Sequence, residues 1–141
     1  MDKAFLKSPA KINLSLKIGK KINDEYHDIQ SVIFLINLHD QITIKKITGK
    51  KDTFKFTGKF KKNIKLKNNT VPKSMYLLRK KNIISNSAKY EIKIKKNIPV
   101  FSGLGGGSSN AATIIKYFYK KRKIINGDIN YFAKFLGSDF K

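Results

Sequence analysis

Cysteine and tryptophan are absent from this 141-residue chain, and His27 and His39 are its only histidines. Without thiols there is no disulfide and no thiolate metal site, and two histidines alone do not make a zinc ligand set. No apolar stretch reaches the length that crosses a bilayer, and the N-terminus lacks the apolar segment of a secretory signal. The composition therefore predicts a cytoplasmic protein with no membrane partner. Acid is scarce too: nine Asp and Glu stand against 31 Lys and Arg, a net charge of +22. Arginine is scarcer still, with Arg79 and Arg122 the only two. Proteins that read nucleic acid lean on arginine for bidentate contacts to bases and phosphates. The lysines are also spread along the whole chain rather than gathered on one segment. A nucleic-acid partner is therefore not expected, although so positive a surface attracts anions, ATP included.

What is present suits one domain with a real core. Hydrophobic residues make up 40% of the chain, enough for a globular fold. Residues 4–18 read as two short strands, through the alternation of Ile12, Leu14, Leu16 and Ile18. A polar loop follows to Asp28. Ile29 to Leu38 reads as a buried strand, and Gln41 to Ile47 as another, with Asp40-Gln41 as the turn between them. Strand signals around Phe54 and Phe56 are weak. Asn69-Thr70-Val71-Pro72 marks a helix start, with Pro72 in the first turn. Tyr90, Ile92 and Ile94 give one more strand. Two helices close the chain, one to about Arg122 and one over Asp128 to Leu136. The pattern is α+β: a mostly antiparallel sheet of four or five strands with helices packed on one face.

One segment stands out. In Pro99-Val100-Phe101-Ser102-Gly103-Leu104-Gly105-Gly106-Gly107-Ser108-Ser109, four of the nine glycines fall within five positions. The run leads straight into a helix, and Ser108, Ser109 and Asn110 offer side chains to cap it. Bare N–H groups at a helix N-terminus form an anion site, because the helix dipole favours phosphate there. The run matches neither the Walker signature nor the Gly-x-Gly-x-x-Gly pattern. A tight strand-to-helix connection that binds nothing is the plainer reading, but a simple turn needs one glycine, not four.

Other residues carry weaker signals. Lys11 and Asn13 are two apart in a strand, so they share a face that could hold an anion or a hydroxyl. Asp139, after Gly137-Ser138, reads either as a turn cap or as a general base or metal ligand. Asp24-Glu25-Tyr26-His27 is a polar cluster in which Tyr26 and His27 could stack on and hydrogen-bond a flat ring.

Taken together the motifs resemble the GHMP kinase superfamily. Ser-Pro-Ala-Lys-x-Asn-Leu at 8–14, Asp-x-Tyr-His at 24–27, Gly-Leu-Gly-Gly-Gly-Ser-Ser-Asn-Ala-Ala at 103–112 and Leu-Gly-Ser-Asp at 136–139 occur in that order. The resemblance extends over essentially the whole chain. It is nearest to the branch that phosphorylates a cytidine-diphosphate-linked methylerythritol on the non-mevalonate route to isoprenoids. It implies a GHMP N-terminal domain, of the ribosomal protein S5 domain 2-like type, over 1–141. It implies ATP and Mg²⁺ as cofactors, and a catalytic pair in which Asp139 takes the hydroxyl proton and Lys11 orients the hydroxyl or stabilises charge. The run from Pro99 to Ser109 would hold ATP. Asn13, Tyr26 and His27 would contact the small-molecule substrate, the last two at its cytosine. Oligomeric state and metal ligands stay open.

The chain departs from the family pattern in three ways. Glu25 stands where the family has glycine, Phe101 where it has a small residue, and His39 where it often has glycine. A side chain costs about 1 kcal/mol or more wherever such a position adopts φ > 0. The family also continues into a second domain, whereas this sequence ends just past Asp139. The expectation is that residues 1–141 alone turn over slowly or not at all. Two alternatives remain beside a kinase: a catalytically inactive, vestigial nucleotide-binding remnant, and a basic RNA-binding protein.

Overall fold

The computed structural model describes residues 3–21, 27–62, 64–119 and 125–136, excepting the side chains of His27 and Ile29. Among the described residues four strands and three helices follow in the order β1 (Lys3–Lys21), β2 (His27–Ile47), β3 (Thr53–Thr57), α1 (Thr70–Lys80), β4 (Lys89–Lys95), α2 (Gly106–Tyr119) and α3 (Asn126–Leu136). The sheet order is β1-β2-β4-β3. β1 and β2 run antiparallel, as do β2 and β4. β3 lies parallel to β4 at the far edge. Parallel neighbours need a crossover, and α1 lies in the segment between them.

Alternation builds the core. Ile42 and Ile44 of β2 and Ile92 and Ile94 of β4 are cross-strand partners, all essentially inaccessible. They meet Val71, Met75 and Leu78 of α1, Ala111, Ile114 and Ile115 of α2, and Phe132 of α3 in one cluster. Asn69 starts α1 as expected: its side chain accepts from Val71 N–H at 3.0 Å.

Several expectations are corrected. The two short strands of residues 4–18 are one strand, β1. The expected polar loop loses Ile18 to Lys21 to β1, and His27 and Asp28 to β2. Asp40-Gln41 is no turn; β2 passes straight through it, with Asp40 paired to Ser8 and Gln41 to Lys7. The run from Ile29 to Leu38 does not pack as a buried strand. Leu16, Phe34 and Leu35 are 54%, 52% and 69% exposed, and the core cluster takes no described side chain from 27–38. The physical reason is reach. Along the ribbon alternation persists, but among the described residues the core layer does not close over it. The register skips Asn37 and Leu38 beside Pro9, which has no N–H to pair, and skips Leu14 further along. Such bulges bend a ribbon and increase its twist.

Candidate functional site

The strand-to-helix segment after β4 forms an open loop that rests on three supports. The first is β1: Lys11 N–H donates to the carbonyl of Leu104 at 3.0 Å. The second is a hydroxyl relay, in which Ser8 donates to Ser109 Oγ at 2.9 Å and Ser109 donates to Pro9 C=O at 2.7 Å. The third is α1, whose Thr70 hydroxyl donates to Gly107 C=O at 3.0 Å. The N-termini of α1 and α2 are thereby held side by side.

α2 begins at Gly106, two residues before the expected cap. Ser109 N–H bonds to Gly105 C=O at 2.9 Å, so Gly105 occupies the capping position. Ser108, Ser109 and Asn110 lie in the first turns and do not cap. They are used for packing instead, Ser109 against β1 and Asn110 against Asp40.

The glycines serve different ends. Gly103 and Gly105 have φ of +74° and +68°, backbone that L side chains rarely adopt. At Gly106 a Cβ would stand 3.0 Å from Ile98 Cγ2. Gly107 is neither strained nor crowded: its nearest neighbour would be Thr70 Oγ1 at 3.7 Å. Nothing in the described protein requires glycine there. The open space in front of it lets a ligand approach the first N–H groups of α2.

That space is a cavity of about 790 Å³, bordered by the whole run from Pro99 to Ser108 and by Ile64, Lys65 and Lys67 to Thr70. Gly105 and Ser108 also line a second cavity, of about 420 Å³. Its cations are Lys7, Lys11 and Lys116, and Ser109 and Thr113 add hydroxyls. The Lys11 side chain crosses Gly105 closely, since a Cβ there would meet Lys11 Cγ and Cε at 3.1 Å. Lys11 thus stands where the two cavities adjoin.

Other predicted residues are placed differently. Asn13 is exposed on the ribbon and does not line the second cavity, although its partner Ile33 does. Tyr26, Glu25 and Asp139 lie outside the described residues, as does the His27 side chain. The pairing of Lys11 with Asp139 is therefore not on view. Among the described residues no group of three or more His, Asp or Glu side chains is placed to hold a metal ion. No described helix is long and apolar enough to cross a membrane. Phe101 has φ +59° and is 97% exposed, so the substitution flagged by sequence falls at a strained position. His39 is not among the residues with positive φ.

Sequence reading missed the layer beneath the loop. Asp40, fully buried, accepts from Asn97 N–H at 2.7 Å, Ile98 N–H at 2.9 Å, Asn110 Nδ2 at 3.1 Å and the Lys96 ammonium. A signal was available. Asp40 shares the parity of Ile42 and Ile44, and Lys96 that of Ile92 and Ile94, so both charges fall on the inward face.

The family model for the GHMP kinases N terminal domain matches residues 69–137. The 4-diphosphocytidyl-2-C-methyl-D-erythritol kinase of Pelagibacter ubique is 42% identical over 142 residues, covering 99% of this chain and 49% of that protein. The enzyme of the same name from Thermosipho melanesiensis is 37% identical, covering 96% of this chain and 47% of that protein. A crystal structure of 4-(cytidine 5'-diphospho)-2C-methyl-D-erythritol kinase superposes with a TM-score of 0.67 at 24% identity, over 97% of this chain and 47% of that one. Homoserine kinase from Cytophaga hutchinsonii gives 0.62 at 17% identity, over 95% and 41%. At such identities the structural likeness concerns the fold alone. The chain spans about half the length of the curated relatives it matches.

Proposed function

We propose that this chain, similar to the GHMP kinases in sequence and sharing their N-terminal fold, binds ATP at the loop Pro99–Ser109 for transfer of the γ-phosphate to an alcohol. The acceptor in this reading is 4-diphosphocytidyl-2-C-methyl-D-erythritol, after the names of its relatives. The observation that carries the proposal is the loop itself. An uncrowded Gly107 at the head of α2 opens on a large cavity, and Lys11 is held against Gly105 on the other side.

Phosphoryl transfer asks a protein chiefly for positioning and for charge stabilisation. The α2 N-terminus supplies N–H donors and a favourable dipole to the phosphates. Lys11, anchored through Leu104, brings a cation to the border of the two cavities, where phosphate and hydroxyl would meet. The second cavity then receives the acceptor, with Lys7 and Lys116 offsetting the charge of its diphosphate. Asp139 takes the proton of the attacking hydroxyl, and Tyr26 and His27 hold the substrate, whereas Asn13 meets only what runs out of the cavity along the ribbon. Mg²⁺ would accompany the nucleotide; among the described residues no cluster of three His, Asp or Glu side chains stands ready for it.

Titration with MgATP at high salt tests the loop, since net charge attracts ATP nonspecifically. Gly107→Val has room for its Cβ, 3.7 Å from Thr70 Oγ1, and its branches crowd the approach to α2. Its affinity should fall at least about tenfold, or 1.4 kcal/mol, with unchanged melting. Equal affinity in both proteins would reduce the loop to a connection. Phosphorylation of 4-diphosphocytidyl-2-C-methyl-D-erythritol, lost in Asp139→Asn, tests the transfer separately.

A further inference from the structure

The loop Pro99–Ser109 is bracketed by one buried carboxylate. Asp40 Oδ1 accepts from the N–H groups of Asn97 and Ile98, immediately before the loop. Asp40 Oδ2 accepts from Asn110 Nδ2, immediately after it, and from Lys96 Nζ. Asn97 Nδ2 also donates to His39 C=O at 2.9 Å, so the whole turn hangs from one point of β2. Lys96 is buried too, and its ammonium would lie 3.4 Å from a Cβ on Gly106. A charged pair of this kind is a poor investment if only stability is at stake, since apolar residues of equal volume often serve as well or better.

We infer that Asp40 is a positioning residue for the phosphate loop: it fixes both ends of the loop, and with Lys96 it sets the height of Gly106 at the start of α2. The inference rests on the ATP-binding reading for its purpose, but the geometry it concerns is measurable without nucleotide. Asp40 does not touch the ligand. It acts through Ile98 and Asn110, whose positions decide where the bare N–H groups of α2 point. Among the described residues the remaining oxygen of Asn110 has no hydrogen-bond partner, and Asp40 is the polar anchor of its side chain.

Two variants of the full chain test this. Asp40→Asn leaves Lys96 buried without its counter-charge, and its melting temperature should fall. Asp40→Leu with Lys96→Met removes both charges and, unlike Asn, leaves no acceptor for Asn97 N–H, Ile98 N–H or Asn110 Nδ2. In the double variant, amide hydrogen exchange at Lys11 and Ser109, whose N–H groups bond to Leu104 and Gly105, should rise at least about tenfold while Ile42 and Ile92 stay protected. Its affinity for ATP should fall by a similar factor while that for adenosine holds, because only the phosphates use the loop. Unchanged exchange at Lys11 and Ser109 would overturn the inference, and so would a parallel loss for ATP and adenosine. If the wild type binds no ATP but the exchange rises as stated, the nucleotide reading fails and the positioning role stands.

Discussion

Lys11 and Leu104 are joined main chain to main chain at 3.0 Å, across 93 positions of sequence. This bond sets the Lys11 side chain across the face of Gly105. Gly103→Ala and Gly105→Ala place a methyl on the same left-handed backbone, and each should cost about 1–2 kcal/mol of stability by urea denaturation. They differ in what the methyl meets. Around Gly103 there is nothing within 4 Å, whereas at Gly105 the methyl displaces Lys11. The Lys11 ε-carbon resonance should therefore move in Gly105→Ala and stay in place in Gly103→Ala.

Phe101 bears left-handed strain with almost its whole side chain in water. Phe101→Gly relieves about 1–2 kcal/mol of backbone strain and gives back about 0.4–1 through the freer unfolded chain. A net gain of about 0.5–1 kcal/mol is expected in the same denaturation experiment. A loss would mean that the exposed ring packs on something that the backbone geometry does not reveal.

Acid weakens the joint between α1 and α3. The hydrogen bond from Lys81 holds the Asp128 carboxyl below its ordinary value near 3.8. The folded state thus binds this proton less readily than the unfolded chain. The stabilisation is complete above the unfolded value and disappears as pH falls through the lowered folded one. Asp128→Asn should be less stable than wild type by about 1 kcal/mol at pH 7. The gap should close progressively below about pH 4. A gap independent of pH would remove the ion pair from the account.

The exposed ribbon and the core should answer truncation oppositely. Ile92→Ala empties a fully buried position and should cost about 2–5 kcal/mol. Leu35→Ser, on the ribbon, should change stability by less than about 0.5 kcal/mol and reduce binding of a hydrophobic dye. A large cost at Leu35 would show that something covers the ribbon in solution.

Legibility in the sequence followed the range of the interaction. α1 was found at its cap because Asn69 and Val71 bond two residues apart. α2 was found, but its start was misplaced, because Ser109 looks locally like a cap. In the fold it faces Pro9 and Ser8, which are remote in sequence. The glycine loop was legible because its chemistry lies within one segment. Its second face was not, since Lys7, Lys11 and Lys116 converge only when β1 lies beside α2.

By itself the sequence determined which segments alternate, which are helical, and where bare backbone gathers at a helix head. These follow from propensity, pattern and the lack of a Cβ, all local matters. Only the tertiary structure decided that Asp40 continues a strand and does not turn it. Its charge is met by Lys96, just past β4, and by N–H groups 57 and 58 positions away. The fold also decided that Phe34 and Leu35 face water, although they read as core. Alternation records which side of a strand is apolar, but burial requires a partner layer, and the core cluster takes no described side chain from 27–38.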